Sequence, residues 1–394
     1  MVDHVRPSAW DGRSFGLSTD DLPMFFEPRH HALAVRLREA AAGGLVACDV
    51  ATADADRATV AALRPIFAFA VAADDAHAID TRSLCLAREM LGFVCPRADS
   101  IFAVQGLGTQ PIALAGSAAQ RAELAAYARG ERIAAFALTE PDAGSDVAAI
   151  ATRATATPTG YRLDGDKLFI SNLGIADHAA LFASTDPSRG HAGLTAFWVP
   201  LDAPGVTVVP QQPISPHPLG ALELRGVALP ASARIGDEGQ GMKLAMQTLD
   251  AFRVSVGAAA VGMARRALVE ALAFVTRRVQ FGKPLAEQQL VQAHLADMAV
   301  DLDSARLLVL RAAYKKDTSS ERATTEVSIA KLGATEAAQR VIDRAVQLHG
   351  GRGVIAETKV ERLYRDIRPL RIYEGTSEIQ RTIIGRALAK GAIT

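Results

Sequence analysis

Cysteine is scarce: the 394 residues hold three, Cys48, Cys85 and Cys95. An odd number without CxxC spacing supports neither a disulfide framework nor a cysteine metal site, which points to a reducing, cytoplasmic setting. Aromatic residues make up only 5% while alanine is abundant, which favours closely packed helices over an aromatic-rich sandwich. Net charge is absent, with 43 basic against 43 acidic residues, so no overall field attracts nucleic acid or an anionic membrane. No uncharged apolar run approaches the ~18 residues of a membrane-spanning helix. The opening MVDHVRPSAWDGRSFG lacks the basic start and apolar core of a secretory signal. The nine histidines show no HExxH or similar ligand pattern, and P-loop and GxSxG motifs are missing, so a metal, a P-loop nucleotide site and a serine elbow are not expected.

What is present is an ordinary globular composition, 49% hydrophobic and 22% charged, in a chain long enough for two or three domains at ~100–200 residues each. Its texture changes twice. Residues 1–130 are alanine-rich and helical: 31–43 place apolar residues at helical spacing before a stop at Gly43-Gly44, and 118–131 form a second amphipathic stretch. Residues 131–240 carry short β-branched or aromatic runs separated by Pro158-Thr159-Gly160, Asp164-Gly165-Asp166, Asp186-Pro187 and Pro204-Gly205. They read as an antiparallel β-sandwich or barrel, with no room for the helices of a parallel βαβ sheet. Residues 241–394 return to long apolar-periodic helices joined by short loops, as in an antiparallel four-helix bundle, and the small residues of 255–262 permit a tight helix crossing. The expected fold class is α+β, in the order α, β, α.

Five segments carry more chemistry than their surroundings. LTEPDAGSD (138–146) crowds hydroxyls, glycine and acid around a proline turn, which suits either an acceptor-rich ligand or a plain capped turn. DGDKLFISN (164–172) is a hairpin feeding a strand that ends in Ser-Asn. RVQFGKP (278–284) reads as a helix–helix connector with Arg278 at a helix C-terminus, where the dipole favours a cation. QLHGGRG (347–353) is a glycine C-cap and loop. IYEGTSEIQ (372–380) places Glu374 in a glycine turn whose Thr376 and Ser377 can cap the last helix. The basic run Lys359, Arg362, Arg365, Arg368 and Arg371 reads as a solvated, partly paired face.

In this order and register the five segments resemble those of the acyl-CoA dehydrogenase family, over about residues 100–390. The resemblance implies a homo-oligomer, usually a tetramer, holding non-covalent FAD between the β-domain and the C-terminal bundle. Phe136, Leu138, Thr139, Gly144, Ser145 and the strand from Phe169 to Ser171 would face the flavin. Phe169-Ile170-Ser171 stands where relatives often have Trp-Ile-Thr, which keeps a ring and a hydroxyl. Arg278 and Phe281 would reach the FAD of a neighbouring subunit, with Gln347 and Gly351 beside its diphosphate and adenosine. Thr376 and Glu378 would close over that end, although many relatives carry Gln in place of Glu378. Ser145, Asp250 and Arg253 would line the acyl-CoA channel. Glu374 occupies the place of the family's usual base, removing the α-proton of the thioester while hydride leaves the β-carbon for the flavin. Some relatives carry the base one residue before the arginine of the long helix; here that residue is Phe252, which cannot take a proton and would shape the acyl pocket. The implied partners are an acyl-CoA substrate and an electron acceptor such as electron-transfer flavoprotein. An acyl-CoA oxidase, a dehydrogenase of carrier-protein thioesters and a DNA-associated flavoprotein of the same fold stay open as alternatives.

Overall fold

The computed structural model describes residues 18–42, 53–73, 78–356 and 358–391. The opening sixteen residues, the Gly43-Gly44 stop and Cys48 lie outside them. The helices, in chain order, are α1 (Pro28–Ala42), α2 (Ala53–Leu63), α3 (Thr81–Val94), α4 (Pro96–Ala115), α5 (Ala118–Ala128), α6 (Gly241–Val275), α7 (Gln289–Thr318), α8 (Thr324–His349), α9 (Lys359–Asp366) and α10 (Ser377–Ala389). The strands are β1 (Ala134–Ala137), β2 (Arg153–Thr157), β3 (Gly160–Ser171), β4 (His178–Ser184), β5 (Leu194–Pro200), β6 (Val206–Pro210), β7 (Leu219–Pro230), β8 (Arg234–Ile235), β9 (Val279–Gln280) and β10 (Lys283–Pro284). None of the described helices is long and apolar enough to cross a membrane.

The chain divides into two compact units, one made of Met1–Ala47, Thr81–Pro96 and Arg253–Thr394, the other of Cys48–Asp80 and Arg97–Phe252. The helices of residues 1–130 are therefore shared, α1 and α3 going to the first unit and α2, α4 and α5 to the second.

In the first unit, α7 and α8 pack side by side, with α10 and α9 against α8 and with α3 against α7. Their core is dominated by alanine and valine from α6, α7 and α8, among them Ala259, Ala264, Val309, Ala334, Val341 and Ala345. Such small side chains let backbones approach closely. A Cβ built on Gly262 would lie 2.1 Å from Glu89 O, and one on Gly92 would lie 2.2 Å from Ala259 O. The tight crossing expected at 255–262 is thus the crossing of α6 with α3. Gly262→Ala should cost roughly 1–3 kcal/mol, as overpacking does when the neighbour is rigid backbone. Calorimetry of the variant checks this; an unchanged unfolding midpoint would show that the crossing can open without cost. Buried Arg82, Arg306 and Glu89 are ion-paired: Arg82 Nε meets Asp317 at 2.9 Å, and Arg306 Nε and Arg265 Nη2 reach Glu89 at 3.3 and 3.2 Å.

In the second unit, one sheet runs in the order β6-β7-β3-β2-β4-β5-β8, with β1 joined to β4. Most pairs are antiparallel, as expected, but β1 and β2 both run parallel to β4, so the sheet is mixed. A helical crossover is not needed for this, because β1 and β4 are connected through the β2–β3 hairpin. The inner faces of β3, β4, β5 and β7 share a core of Tyr161, Leu163, Leu181, Phe197, Leu222 and Leu229. The other face of β4 and β5 packs Phe182, Ala196 and Trp198 against Ile112, Leu124, Tyr127 and Leu244 of α4, α5 and α6. Being covered on both faces, β4 and β5 are apolar at nearly every position rather than at alternate ones. Helix α5 begins with a capping box, Ser117 Oγ accepting from Gln120 N–H while Gln120 Oε1 accepts from Ser117 N–H.

Candidate functional site

In the second unit, two of the five segments are tied together from beneath. Glu140 and Ala143 close a turn by mutual backbone bonds of 3.0 and 3.3 Å, with Pro141 at the position its fixed φ suits. Glu140 itself is buried. It accepts the N–H groups of Ala151 (2.6 Å) and Thr152 (3.1 Å) and an ion pair from Lys167 Nζ (2.7 Å). Lys167 is wholly buried and also donates to Leu138 O at 3.2 Å. Just beyond, the Leu168 N–H reaches Thr139 O at 2.9 Å. Burial pushes the Lys167 ammonium down to about 8 against the opposing charge of Glu140. Burial also tends to raise Glu140, but the Lys167 charge and the hydrogen bonds from Lys167, Thr152 and Ala151 hold it below the usual carboxylate range.

Past Lys167 the β3–β7 register slips between Lys167 and Ile170, and Phe169 takes φ +58°. A bulge of this kind re-aims side chains. The Phe169 ring is left 61% exposed, an unusual state for a large aromatic in a left-handed backbone conformation. Ser171 follows, half-buried, with its Oγ 3.2 Å from His217 Nε2. Asn172 ends the strand at φ +67° and anchors it by donating to Ala134 O (3.1 Å) and Ile101 O (3.3 Å). Leu138 is buried, Phe136 and Thr139 are half-buried, and Gly144 and Ser145 are exposed, a Cβ at Gly144 meeting nothing within 4 Å. Asp250 lies half-buried on α6, and Phe252 is buried with its ring against Gly106.

In the first unit, Glu374 sits half-buried in the turn before α10, again left-handed, at φ +53°. The turn is held by its main chain. Arg253 Nε donates to Glu374 O (3.0 Å), Gln380 Nε2 to Glu374 O (3.2 Å) and Gly375 O (3.0 Å), and Lys331 Nζ to Gly375 O (2.8 Å). Donors from α6, α8 and α10 therefore converge on two successive carbonyls. Burial brings Lys331 down to about 8, with the Glu374 charge opposing and Arg253 adding to the fall. Thr376 caps α10, its Oγ accepting from Ile379 N–H at 3.3 Å, as expected, and Glu378 is exposed in the first turn.

Residues 278–284 join α6 to α7, as expected of a helix–helix connector, but they do so as a β-hairpin. Helix α6 ends at Val275, and β9 and β10 form a hairpin whose two-residue tip is Phe281-Gly282, at φ +52° and +76°. Positive φ at both tip positions marks the turn type that matches strand twist and ordinarily takes Asn-Gly. Here it displays Phe281 with 94% of its surface exposed. Arg278 is exposed at the base of the hairpin. Gln347 is exposed at the end of α8, Gly350 is its C-cap at φ +56°, and a Cβ at Gly351 would meet nothing within 4 Å. The basic face beyond is partly paired, Arg365 with Glu361 and Arg371 with Glu336.

Among the described residues, the non-glycine residues at positive φ are Phe169, Asn172, Phe281 and Glu374. Three of these four are candidate site residues, and such strain persists where the surroundings over-determine it, commonly at functional sites. Reasoning from sequence did not single out Glu140, Lys167, His217, Lys331 or Gln380. Lys331 had a detectable signal: it interrupts the apolar register Val327, Ala330, Ala334, Ala338 of α8. Each unit by itself carries groups that suit the chemistry of FAD: in the second, an exposed ring and a hydroxyl on a bulged strand; in the first, an always-charged guanidinium and an uncrowded glycine backbone.

The chain matches the acyl-CoA dehydrogenase middle domain over residues 135–227 and the acyl-CoA dehydrogenase C-terminal domain over residues 239–389. It is 42% identical over 288 residues to a 3-(aryl)acrylate reductase of Clostridium sporogenes, covering 72% of this chain and 76% of that one. It is 38% identical to the mouse mitochondrial short-chain specific acyl-CoA dehydrogenase, covering 79% of this chain and 77% of the other. Among solved structures it resembles butyryl-CoA dehydrogenase of Megasphaera elsdenii, with a TM-score of 0.85 and 33% identity over 92% of this chain and 99% of that one.

Proposed function

The chain belongs to the acyl-CoA dehydrogenase family, and we propose that it is an FAD-dependent oxidoreductase that converts an acyl-CoA thioester to its 2-enoyl-CoA, with Glu374 as the base. The observation that carries this reading is the turn at Glu374: a carboxylate in a strained backbone, its carbonyls clamped by Arg253, Lys331 and Gln380. Such a clamp on the main chain fixes where the carboxylate stands. Glu374 removes the α-proton, and a half-buried carboxylate beside a thioester that excludes water is a stronger base than one in bulk solvent. Negative charge that develops on the thioester carbonyl needs hydrogen-bond donors in a dry site. FAD, when bound, accepts the hydride from the β-carbon.

The flavin ring is assigned to Phe136, Leu138, Thr139, Gly144, Ser145, Phe169 and Ser171. Arg278, with its planar, permanently charged fork, is assigned to the diphosphate, with Phe281, Gln347 and Gly351 towards the adenosine end of a neighbouring subunit's cofactor. Thr376 and Glu378 complete that end, and Ser145, Asp250 and Arg253 line the substrate path. The exposed, strained Phe281 supports the assignment, since a second subunit would cover it. The assembly is read as a homotetramer in the cytoplasm, with an electron-transfer flavoprotein to reoxidise the cofactor. The dehydrogenases among its relatives favour this reaction over an oxidase. The reductase relative favours testing both directions, because the same proton and hydride positions serve the reverse reaction.

Purified protein is expected to be yellow and to release FAD, not FMN, on denaturation, because the assigned residues reach beyond the riboflavin phosphate. Chromatography of the released flavin checks this. Protein that stays colourless with added FAD would overturn the assignment of the cofactor residues. Anaerobic mixing with a panel of acyl-CoAs, and of enoyl-CoAs against the reduced enzyme, identifies the substrate and the direction.

A further inference from the structure

His217 belongs to none of the five segments, yet it stands directly behind one of them. It lies in the connection from β6 to β7, within Pro216-His217-Pro218. The flanking prolines restrict its backbone to extended conformations, and the Asn172 N–H fastens to Pro218 O at 2.9 Å, joining the connection to the end of β3. Two hydrogen bonds then settle the state of the imidazole. Nδ1 lies 2.8 Å from Ser215 O. A carbonyl can only accept, so Nδ1 carries the hydrogen. In the neutral ring Nε2 is then a bare acceptor, and its neighbour at 3.2 Å, Ser171 Oγ, must be the donor.

We propose that His217 is a positioning residue that sets the sense of the Ser171 hydroxyl: by taking its hydrogen, it leaves Ser171 able only to accept hydrogen bonds from the flavin. This rests on the reading of Ser171 as a flavin-facing residue. The oxidised isoalloxazine is rich in ring nitrogens and carbonyls that accept, whereas two-electron reduction adds N–H donors. An acceptor-only Ser171 favours the reduced form and raises the midpoint potential. Protonated His217 would do the reverse, donating to Ser171 Oγ and freeing its hydrogen for the oxidised ring.

The surroundings keep the neutral state in place near pH 7. Burial pushes His217 below the ordinary histidine value, Arg97 of α4 pushes it further down, and the Ser215 carbonyl and Asp56 of α2 pull it up. Arg97 and Asp56 are themselves ion-paired, so their effects on the ring partly cancel.

The test is the midpoint potential of the FAD-loaded protein, titrated against a redox dye at pH 7, for the wild type, His217→Leu, His217→Gln, Ser171→Ala and the Ser171→Ala/His217→Leu double variant. His217→Leu releases the hydroxyl and should shift the reduced-to-oxidised ratio about tenfold towards oxidised at fixed poise, ~30 mV lower for a two-electron couple. His217→Gln keeps an acceptor carbonyl near the Nε2 position and should restore most of the wild-type potential. With Ser171 already replaced by Ala, His217→Leu should change nothing further. Every flavin potential rises as pH falls, because reduction takes up protons, so the variants are compared at the same pH: below the histidine range the gap between wild type and His217→Leu should close, while the gap between His217→Gln and His217→Leu should persist. An unchanged potential in FAD-loaded His217→Leu overturns the inference, as does an equal shift in the Ser171→Ala background, which would mean that His217 acts without the hydroxyl. A wild-type protein that binds no FAD overturns the proposed function and the inference with it.

Discussion

Glu374→Gln is expected to retain FAD and bind acyl-CoA while losing dehydrogenation by more than the ~10²–10⁴-fold credited to a single general base. Glutamine has nearly the shape of glutamate and cannot take the α-proton. Arg253, Gln380 and Lys331 grip the carbonyls of residues 374 and 375, and a change at the carboxylate leaves those bonds in place. The left-handed backbone should therefore persist, so loss of activity reports chemistry and not collapse of the turn. Phe252, where a base could otherwise stand, is a buried ring against Gly106 and supplies no carboxylate. The measurement is anaerobic bleaching of the flavin on rapid mixing with a good substrate. Bleaching at the wild-type rate would reduce Glu374 to a turn residue and move the base elsewhere.

The sequence made the β region visible because β4 and β5 are unbroken apolar runs and their turns carry Pro, Gly and Asp. It hid β2 and β8, since RATAT is exposed at four of five positions and β8 has only two residues. The parallel β1–β4 and β2–β4 pairings were equally hidden, because pairing partners depend on the path of the chain and not on local pattern. The connection at 278–284 was legible as a connector but its hairpin form was not, because Phe281 violates the turn chemistry of its own position, and local rules fail where strain serves a purpose. Site residues were legible where they fell inside an ordered string of segments. The groups that hold them were not, for Lys331 and Gln380 act through main-chain carbonyls and His217 through a hydroxyl. Such partners come together only when the chain folds, and nothing in their spacing announces it.

Lys167→Met should be the most damaging substitution away from the chemistry, costing roughly 3–5 kcal/mol, as does removal of one partner from a buried ion pair. Methionine fills the volume of the stem but leaves the Glu140 carboxylate buried with only the N–H groups of Ala151 and Thr152, and leaves Leu138 O without its donor. Because Leu138 and Thr139 are assigned to the flavin, FAD should also dissociate more readily. Glu140→Leu combined with Lys167→Met should recover much of the stability, since it removes both charges together. The pH dependence gives a sharper signature. In the wild type Glu140 titrates below its unfolded value of 4.5, so its contribution is present above that pH and is lost as the pH falls through the folded value. In the single variant the uncompensated carboxylate titrates above 4.5, and the native state then takes up protons more readily than the unfolded chain. Acidifying from pH 7 to about pH 5 should therefore narrow the gap between wild type and variant. Denaturant unfolding at the two pH values measures that gap. A constant gap would show that Glu140 finds another cation when Lys167 is removed, and that the pair does not by itself hold the two segments together.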